Sequence, residues 1–476
     1  MRSLYKSLAI SGGLALMLAA VFVTLLLQPF PKTQSGQAGE SLVFTAAEPV
    51  EISSVSVENA SGAYRFLYEG DGYVLDDIPA TIADLGAFID FMTGCGRLSA
   101  IRKVADDVLP TYGLEQPSAS VEIQFFNGNA FRLAIGEQEP ISGGYYVSAE
   151  SFPGVYLMAP SIAEPFLRPK THVISKNVTP PLTVSSPLSA IRDITFTGGA
   201  LLSPVTIQAV SGGDEHVRLL ALSFGSATHL VREVGVYPLD QTYGVEIFAS
   251  LFGIQALEVI GYNLSEAEIV AMGFDHPWMT VEYEAVNGAN TQAVPYVLKA
   301  ARRGDAYFAT LNGSGAVFRI ERLPFMDIQF ERLPSRWFLT PLLMDLSAVT
   351  VEGDGRRYRF EIDNTDLKNP LIAFEGTVLD TRLFRSLFRL ATSASHDGVY
   401  LGELSQPSEN ELLRITYEYV APGKDHDVLA LYPSGVRRVH VFVNGVGGFA
   451  MKDQFVTRML QGCEDLLAGL PIEESW

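Results

Sequence analysis

Apolar residues are distributed along this chain in three patterns, each of which predicts a different element. Residues 8–27 (LAISGGLALMLAAVFVTLLL) are twenty positions without a charge. At about 1.5 Å per residue, a helix of that length matches the ~30 Å hydrocarbon core of a bilayer. Residues 29–49 open with PFPKTQSGQAGES, which has almost nothing to bury and predicts a flexible tether. From Val50 onward, period-two alternation dominates and is broken by short one-sided helical stretches, the signature of antiparallel sheets with a few helices.

The alternating part repeats itself. Segment 54–58 (SVSVE) leads into Tyr64-Arg65-Phe66, and segment 348–352 (AVTVE) leads into Tyr358-Arg359-Phe360, so each reads as two strands joined by a turn. A helix is expected after each pair. In the first third, Ile82, Leu85, Phe88, Ile89 and Met92 share a helical face, with Thr81 as cap and Gly94 as the left-handed end. In the middle, Phe248, Leu251 and Phe252 run up to Gly253; in the last, Leu379, Leu383, Leu387 and Leu390 surround a cap at Asp380. Next comes a repeated block, Leu114-Glu115-Gln116-Pro117, Phe274-Asp275-His276-Pro277 and Leu404-Ser405-Gln406-Pro407. Proline lacks an N–H and biases its predecessor to an extended conformation, so the block should lead into a strand. Those strands are VEIQF from Val121, VEYEA from Val281 and RITYEY from Arg414, the last after an insertion of about four residues. Hairpin-like pairs close each repeat, with Asn-Gly turn signals at 312 and 444.

The pattern therefore predicts an α+β chain: an N-terminal transmembrane helix followed by three tandem modules, each strand-strand-helix-strand-strand-strand, with mostly antiparallel sheets. The expected division is 1–28 for the cytoplasmic N-terminus and anchor, 29–49 for the tether, and 50–180, 188–335 and 341–470 for modules 1 to 3. Module 2 carries extra alternation between 194 and 243 (PVTIQAV, VRLLALSF, THLVREV), read as inserted strands.

Charge adds a topology. Arg2 and Lys6 precede the apolar run and the first acidic residue is Glu40, so the positive-inside bias places the N-terminus in the cytoplasm and the rest outside. The run ends in Leu25, Leu26, Leu27, Gln28 and Pro29, not in the small residues of a cleavage site, which favours an uncleaved anchor over a signal peptide. With 34 Lys and Arg against 54 Asp and Glu, the net charge is −20, which argues against nucleic acid as a partner. Hydrophobic residues make up 47% and charged ones 18%, enough apolar material for several cores. Two cysteines, Cys95 and Cys463, allow one disulfide at most, and their places in different modules predict that none forms.

The N-terminal anchor, the ISSVSVEN strand, the helix, the 112–117 block (YGLEQP), and Ile135-Gly136 followed by Gly144-Tyr145-Tyr146-Val147 together resemble a bacterial membrane-anchored envelope family known as domain of unknown function 4340. The resemblance is best over 50–167. It implies association with the membrane components of gliding-type ABC transporters, and it supplies no catalytic residues.

Candidate chemistry is sparse. The sequence contains no Gly-x-Ser-x-Gly elbow, His-Glu-x-x-His, Walker loop or dinucleotide fingerprint. Ser395-His396-Asp397 has the residue types of a hydrolase triad, but adjacent side chains diverge, so a solvated turn is expected. Asp425-His426-Asp427 could ligate a metal and is read as a polar loop. His276 stands where the other repeats have Gln116 and Gln406, and all three are expected to bond backbone and fix the turn. Arg303-Gly304-Asp305 matches an integrin-binding tripeptide and is read as a turn between strands. No residue is assigned as catalytic, cofactor-binding or metal-binding, and no cofactor is assigned.

The function expected is that of a single-pass cell-membrane protein with an extracytoplasmic body. It would contact the bilayer through residues 8–27 and act as a non-enzymatic accessory or scaffold for a membrane complex such as an ABC transporter. The alternative is an extracytoplasmic protein that binds or hydrolyses cell-wall glycan or peptide.

Overall fold

The computed structural model describes residues 42–69, 72–232, 235–286, 292–402 and 404–476. The anchor expected at 8–27 and most of the tether lie outside these residues. Among the described residues no helix is long and apolar enough to cross a membrane. The chain is mixed α+β and divides into two compact units, residues 1–173 and 174–476.

Unit 1 holds one nine-stranded sheet. Its strands are β1 (Leu42–Val43), β2 (Ile52–Asn59), β3 (Gly62–Glu69), β4 (Gly72–Leu75), β5 (Ser99–Ala105), β6 (Ala119–Phe125), β7 (Ala130–Gln138), β8 (Tyr145–Ala149) and β9 (Phe152–Met158). Their spatial order is β1-β5-β9-β8-β7-β6-β2-β3-β4. Two helices, α1 (Leu85–Gly96) and α2 (Pro160–Leu167), cover one face. There Phe66 meets Phe88 and Phe91 edge-on, and Phe91 meets Phe166. Val55, Val57, Val121, Ile123 and Leu133 complete this core.

The first helix differs from expectation in its phase. Asp84, not Thr81, caps it by accepting from the Ala87 amide. The buried stripe is Phe88, Phe91, Met92 and Cys95, while Leu85 and Ile89 face outward. Gly94 lies inside the helix. Gly96 is the glycine the packing requires, because a Cβ there would sit 2.1 Å from the Ala47 carbonyl oxygen.

Unit 2 holds two sheets. The first comprises β10 (Ile191–Gly198), β11 (Val205–Ala209), β12 (His229–Arg232), β13 (Tyr237–Pro238), β14 (Glu258–Gly261), β15 (Met279–Ala285), β16 (Val294–Arg303), β17 (Ala306–Leu311) and β18 (Val317–Ile320). The second comprises β19 (Leu346–Gly353), β20 (Arg356–Asp363), β21 (Leu371–Phe374), β22 (Thr377–Val378), β23 (Leu413–Tyr419), β24 (His426–Pro433), β25 (Arg438–Val443) and β26 (Val446–Lys452). The helices are α3 (Pro187–Ala190), α4 (Glu215–Ala221), α5 (Gln241–Ala249), α6 (Glu266–Ala271), α7 (Thr381–Thr392) and α8 (Gln454–Leu467). Asp380 caps α7 and Gly253 is left-handed beyond α5, as the sequence pattern suggests. Segment 217–224 is not an inserted strand. Asp214 accepts from the Val217 amide, and Val217, Ala221 and Phe224 bury one face of α4 and the turn that continues it.

Each sheet contains six strands in the same antiparallel order: β3-β2-β6-β7-β8-β9, β11-β10-β15-β16-β17-β18 and β20-β19-β23-β24-β25-β26. The expected plan was one strand short per repeat. The overlooked strands are β7, β16 and β24, whose ends carry Glu137 and Gln138, Pro295 and Arg303, and His426 and Pro433, so polar and proline positions mask their alternation. Register makes positions in the sheets comparable. Val57 pairs with Tyr64 and Val121, as Val351 pairs with Tyr358 and Ile415. A bulge follows Ile52 in sheet 1 and Leu346 in sheet 3 at the same point.

Candidate functional site

The open face of the unit 1 sheet carries a cavity of about 680 Å³ built from two cross-strand rows. One row reads Ala63, Glu58, Ser120, Ala134, Ser148 across β3, β2, β6, β7 and β8. The next row reads Arg65, Ser56, Glu122, Arg132, and then Glu150 just beyond β8, whose amide bonds the Arg132 carbonyl. Directly paired residues on antiparallel strands project to one face, so both rows look into the same trough. Five strands at the usual spacing make it roughly 19 Å long. The first row is mostly small side chains and forms a floor; the second is a wall of charge.

Within the wall, Arg132 donates to Glu122 at 3.0 and 3.2 Å and to Glu150 at 3.3 Å. Glu122, and after it Glu150, holds the Arg132 guanidinium above its ordinary pKa. Asp76 at the rim pairs with Lys170 at 3.1 Å. Arg65 turns away from the floor and donates to the Ser54 hydroxyl at 3.1 Å. Among the described residues neither Arg65 nor Glu58 has a carboxylate or cation partner. The hydroxyls of Ser56, Ser120 and Ser148 likewise make no side-chain hydrogen bond there. Among the described residues the trough thus offers one cation and one anion without a charged partner and three hydroxyls without a side-chain hydrogen bond, an arrangement suited to binding a polar molecule.

The sites singled out in sequence are engaged in the fold. His396 is buried, which corrects the solvated turn expected there. Its Nδ1 accepts from the Gly398 amide at 3.0 Å, its Nε2 meets the Ser335 carbonyl at 3.1 Å, and its ring stacks on Phe449. Burial lowers its pKa, and with both nitrogens occupied it forms no triad with Ser395 and Asp397. Asp397 pairs instead with Arg438.

Asp427 is also buried, whereas Asp425 and His426 are exposed, so the expected polar loop is corrected. The Asp427 carboxylate accepts from Tyr419 at 2.6 Å, Asn444 at 2.9 Å and Lys424 at 3.1 Å. Lys424 also donates to the Ser223 hydroxyl at 2.8 Å, which ties sheet 3 to the segment after α4. Burial, with the Asp427 charge next in size, pushes the Tyr419 hydroxyl far up. This is an internal ion-pair network rather than a metal site, and among the described residues no cluster of three or more His, Cys, Asp or Glu is placed to hold a metal.

His276 has a side chain 94% exposed, and among the described residues its one ion-pair partner is Asp275, at 3.9 Å. Gln116 makes no side-chain hydrogen bond among the described residues, and Gln406 bonds the Tyr432 hydroxyl. Among the described residues the expected backbone bonds of these three side chains are absent. The turns are held by left-handed glycines, Gly113, Gly273 and Gly402, and by the apolar residue of each block, such as Phe274 in its buried cluster. Arg303-Gly304-Asp305 closes β16 to β17, with Gly304 left-handed. Cys95 and Cys463 are free and buried, with their thiol pKa values pushed up by burial.

The trough was missed in sequence because its residues are ordinary outward-facing strand positions. A signal did exist in the repeats: SVSVE and AVTVE share their charged end, but the partners facing them differ. No family model matches the chain, and neither a curated protein nor a solved structure matches it.

Proposed function

We propose that this protein is a membrane-tethered extracytoplasmic recognition protein, a non-enzymatic accessory or scaffold of a membrane complex such as an ABC transporter. In this reading residues 8–27 anchor it with the N-terminus in the cytoplasm, and the trough of unit 1 is the contact surface. The observation that carries it is the trough itself, an open cavity whose Glu58 and Arg65 have no charged partner among the described residues. The uncharged twenty-residue run and the basic residues ahead of it support the tether. The resemblance of the first module to the envelope family supports a partner among membrane transport components.

The test is made in cells with the full chain. Membranes are washed with carbonate, and a photo-crosslinking residue is placed at Ser120 on the trough floor or at Val436, which is 87% exposed on unit 2. Retention in the washed membrane and an adduct with a membrane protein from position 120 alone are expected. Release of the chain in soluble form removes the tether. Identical adducts from both positions, or none from 120, remove the trough as the contact surface.

A further inference from the structure

We propose that the trough captures a short peptide by its two free ends, the ammonium at Glu58 and the carboxylate at Arg65; this rests on the trough being the recognition surface. The reason lies in a comparison that the chain supplies internally. Register equates Glu58 with Glu352 and Arg65 with Arg359. In sheet 3 both charges are satisfied within the fold: Glu352 pairs with Arg357 at 3.5 Å, and Arg359 pairs with Glu418. The residues of sheet 1 that stand in the places of Arg357 and Glu418 are Ala63 and Gln124. The same pair of charges is thus kept in sheet 1 while both internal partners are lost.

The remaining charged groups of the trough are committed, Arg132 to Glu122 and Glu150, and Asp76 to Lys170. That ladder is peculiar to sheet 1, since Val297 and Val428 occupy the Arg132 position, and Asn312 and Asn444 that of Glu150. In all three sheets the amide of the second residue bonds the carbonyl of the first, but the asparagines are left-handed and their side chains accept from the valine amide, whereas the Glu150 carboxylate takes the Arg132 guanidinium.

Size fits as well. Glu58 and Arg65 are diagonal neighbours, whose Cβ atoms lie roughly 7–8 Å apart or somewhat less, so their head groups reach that spacing when Arg65 swings from the Ser54 hydroxyl over the floor. An extended dipeptide spans about 7 Å. The small floor at Ala63, Ser120 and Ala134 lets a peptide backbone come close, and the free hydroxyls of Ser56 and Ser120 can both donate to and accept from its amide. A guanidinium matches a carboxylate by a two-pronged hydrogen bond, which a single ammonium side chain would not reproduce.

Calorimetric titration of the detergent-solubilised full chain with Ala-Ala, acetyl-Ala-Ala and Ala-Ala amide tests this. Blocking either end should weaken binding at least tenfold. Arg65→Met should bring Ala-Ala down to the level of the amide, and Glu58→Gln to that of the acetylated probe. The paired substitution Ala63→Arg with Gln124→Glu restores the partners found in sheet 3 and should abolish binding while the unfolding transition is kept. Equal binding of all three probes, or Ala-Ala bound by the doubly substituted chain, overturns the proposal. Absence of Ala-Ala binding with the crosslink from position 120 intact overturns this ligand alone, whereas loss of both overturns the recognition surface itself.

Discussion

A single missing hydrogen bond decides which residue of the repeated Gln/His-Pro block matters. His276 is exposed and among the described residues pairs only with its neighbour Asp275, so His276→Gln should change unfolding free energy by no more than ~0.5 kcal/mol, measured in urea. A larger loss would restore a structural role to that side chain. Glycines behave differently. A Cβ on Gly136 would stand 2.1 Å from the Tyr112 carbonyl oxygen, where backbone meets backbone and no side chain can yield. Gly136→Ala should therefore destabilise unit 1 by about 1–3 kcal/mol in the same assay. The Tyr-Gly-Leu-Glu-Gln-Pro block was legible as a turn because proline and glycine leave sequence marks. Which of its residues matters most was not, since that depends on a close approach between Gly136 and Tyr112, 24 residues apart.

At the scale of elements, the patterns read well where one face is buried and poorly where ends are polar. Strands β6 and β23 alternate cleanly, and α7 shows its cap and stripe. The α1 helix was placed but rotated, because Leu85 and Ile89 are apolar without being buried. Short polar-apolar runs such as 217–224 fit both periods, and only the Asp214 cap separates them. Histidines shielded from water give a pH dependence: His229 and His396 are buried and His172 is half-buried. Burial, the largest cause for each, holds His172, His229 and His396 below their ordinary value near 6.5. Below that value the unfolded chain binds protons that the folded chain refuses, so the stability they contribute is complete above pH 6.5 and lost as pH falls through their depressed values. The urea midpoint should drop between pH 7.5 and 5.5, a window above the range in which carboxylates titrate. A midpoint that holds or rises would contradict neutral burial of these rings.

On the scale of the whole chain, each compact unit has its own core, and unit 2 joins two sheets through a buried polar network instead of a purely apolar seam. The Lys424 and Asp427 side chains are 9% and 2% exposed, so neither charge is screened by water. Removing one partner of such a pair leaves the other buried and uncompensated, which typically costs 3–5 kcal/mol. Asp427→Ala should therefore weaken unit 2 by about that amount, and it should do so across both sheets, because Lys424 and Tyr419 reach Ser223 and Leu222 in the segment that follows α4. Hydrogen exchange read by mass spectrometry can resolve this. Protection should fall in β10 to β12 as well as in β23 and β24, while β2, β6 and β7 of unit 1 keep theirs. If protection were lost in sheet 3 only, the network would be a local brace and the two sheets of unit 2 would be coupled by other contacts, such as Tyr237 against Phe449. The sequence could not have shown this coupling, since Lys424 and Ser223 are 201 residues apart and belong to different repeats. Repetition reveals what the sheets share, while the network depends on a lysine and an aspartate that have no counterparts at the corresponding places of sheet 1.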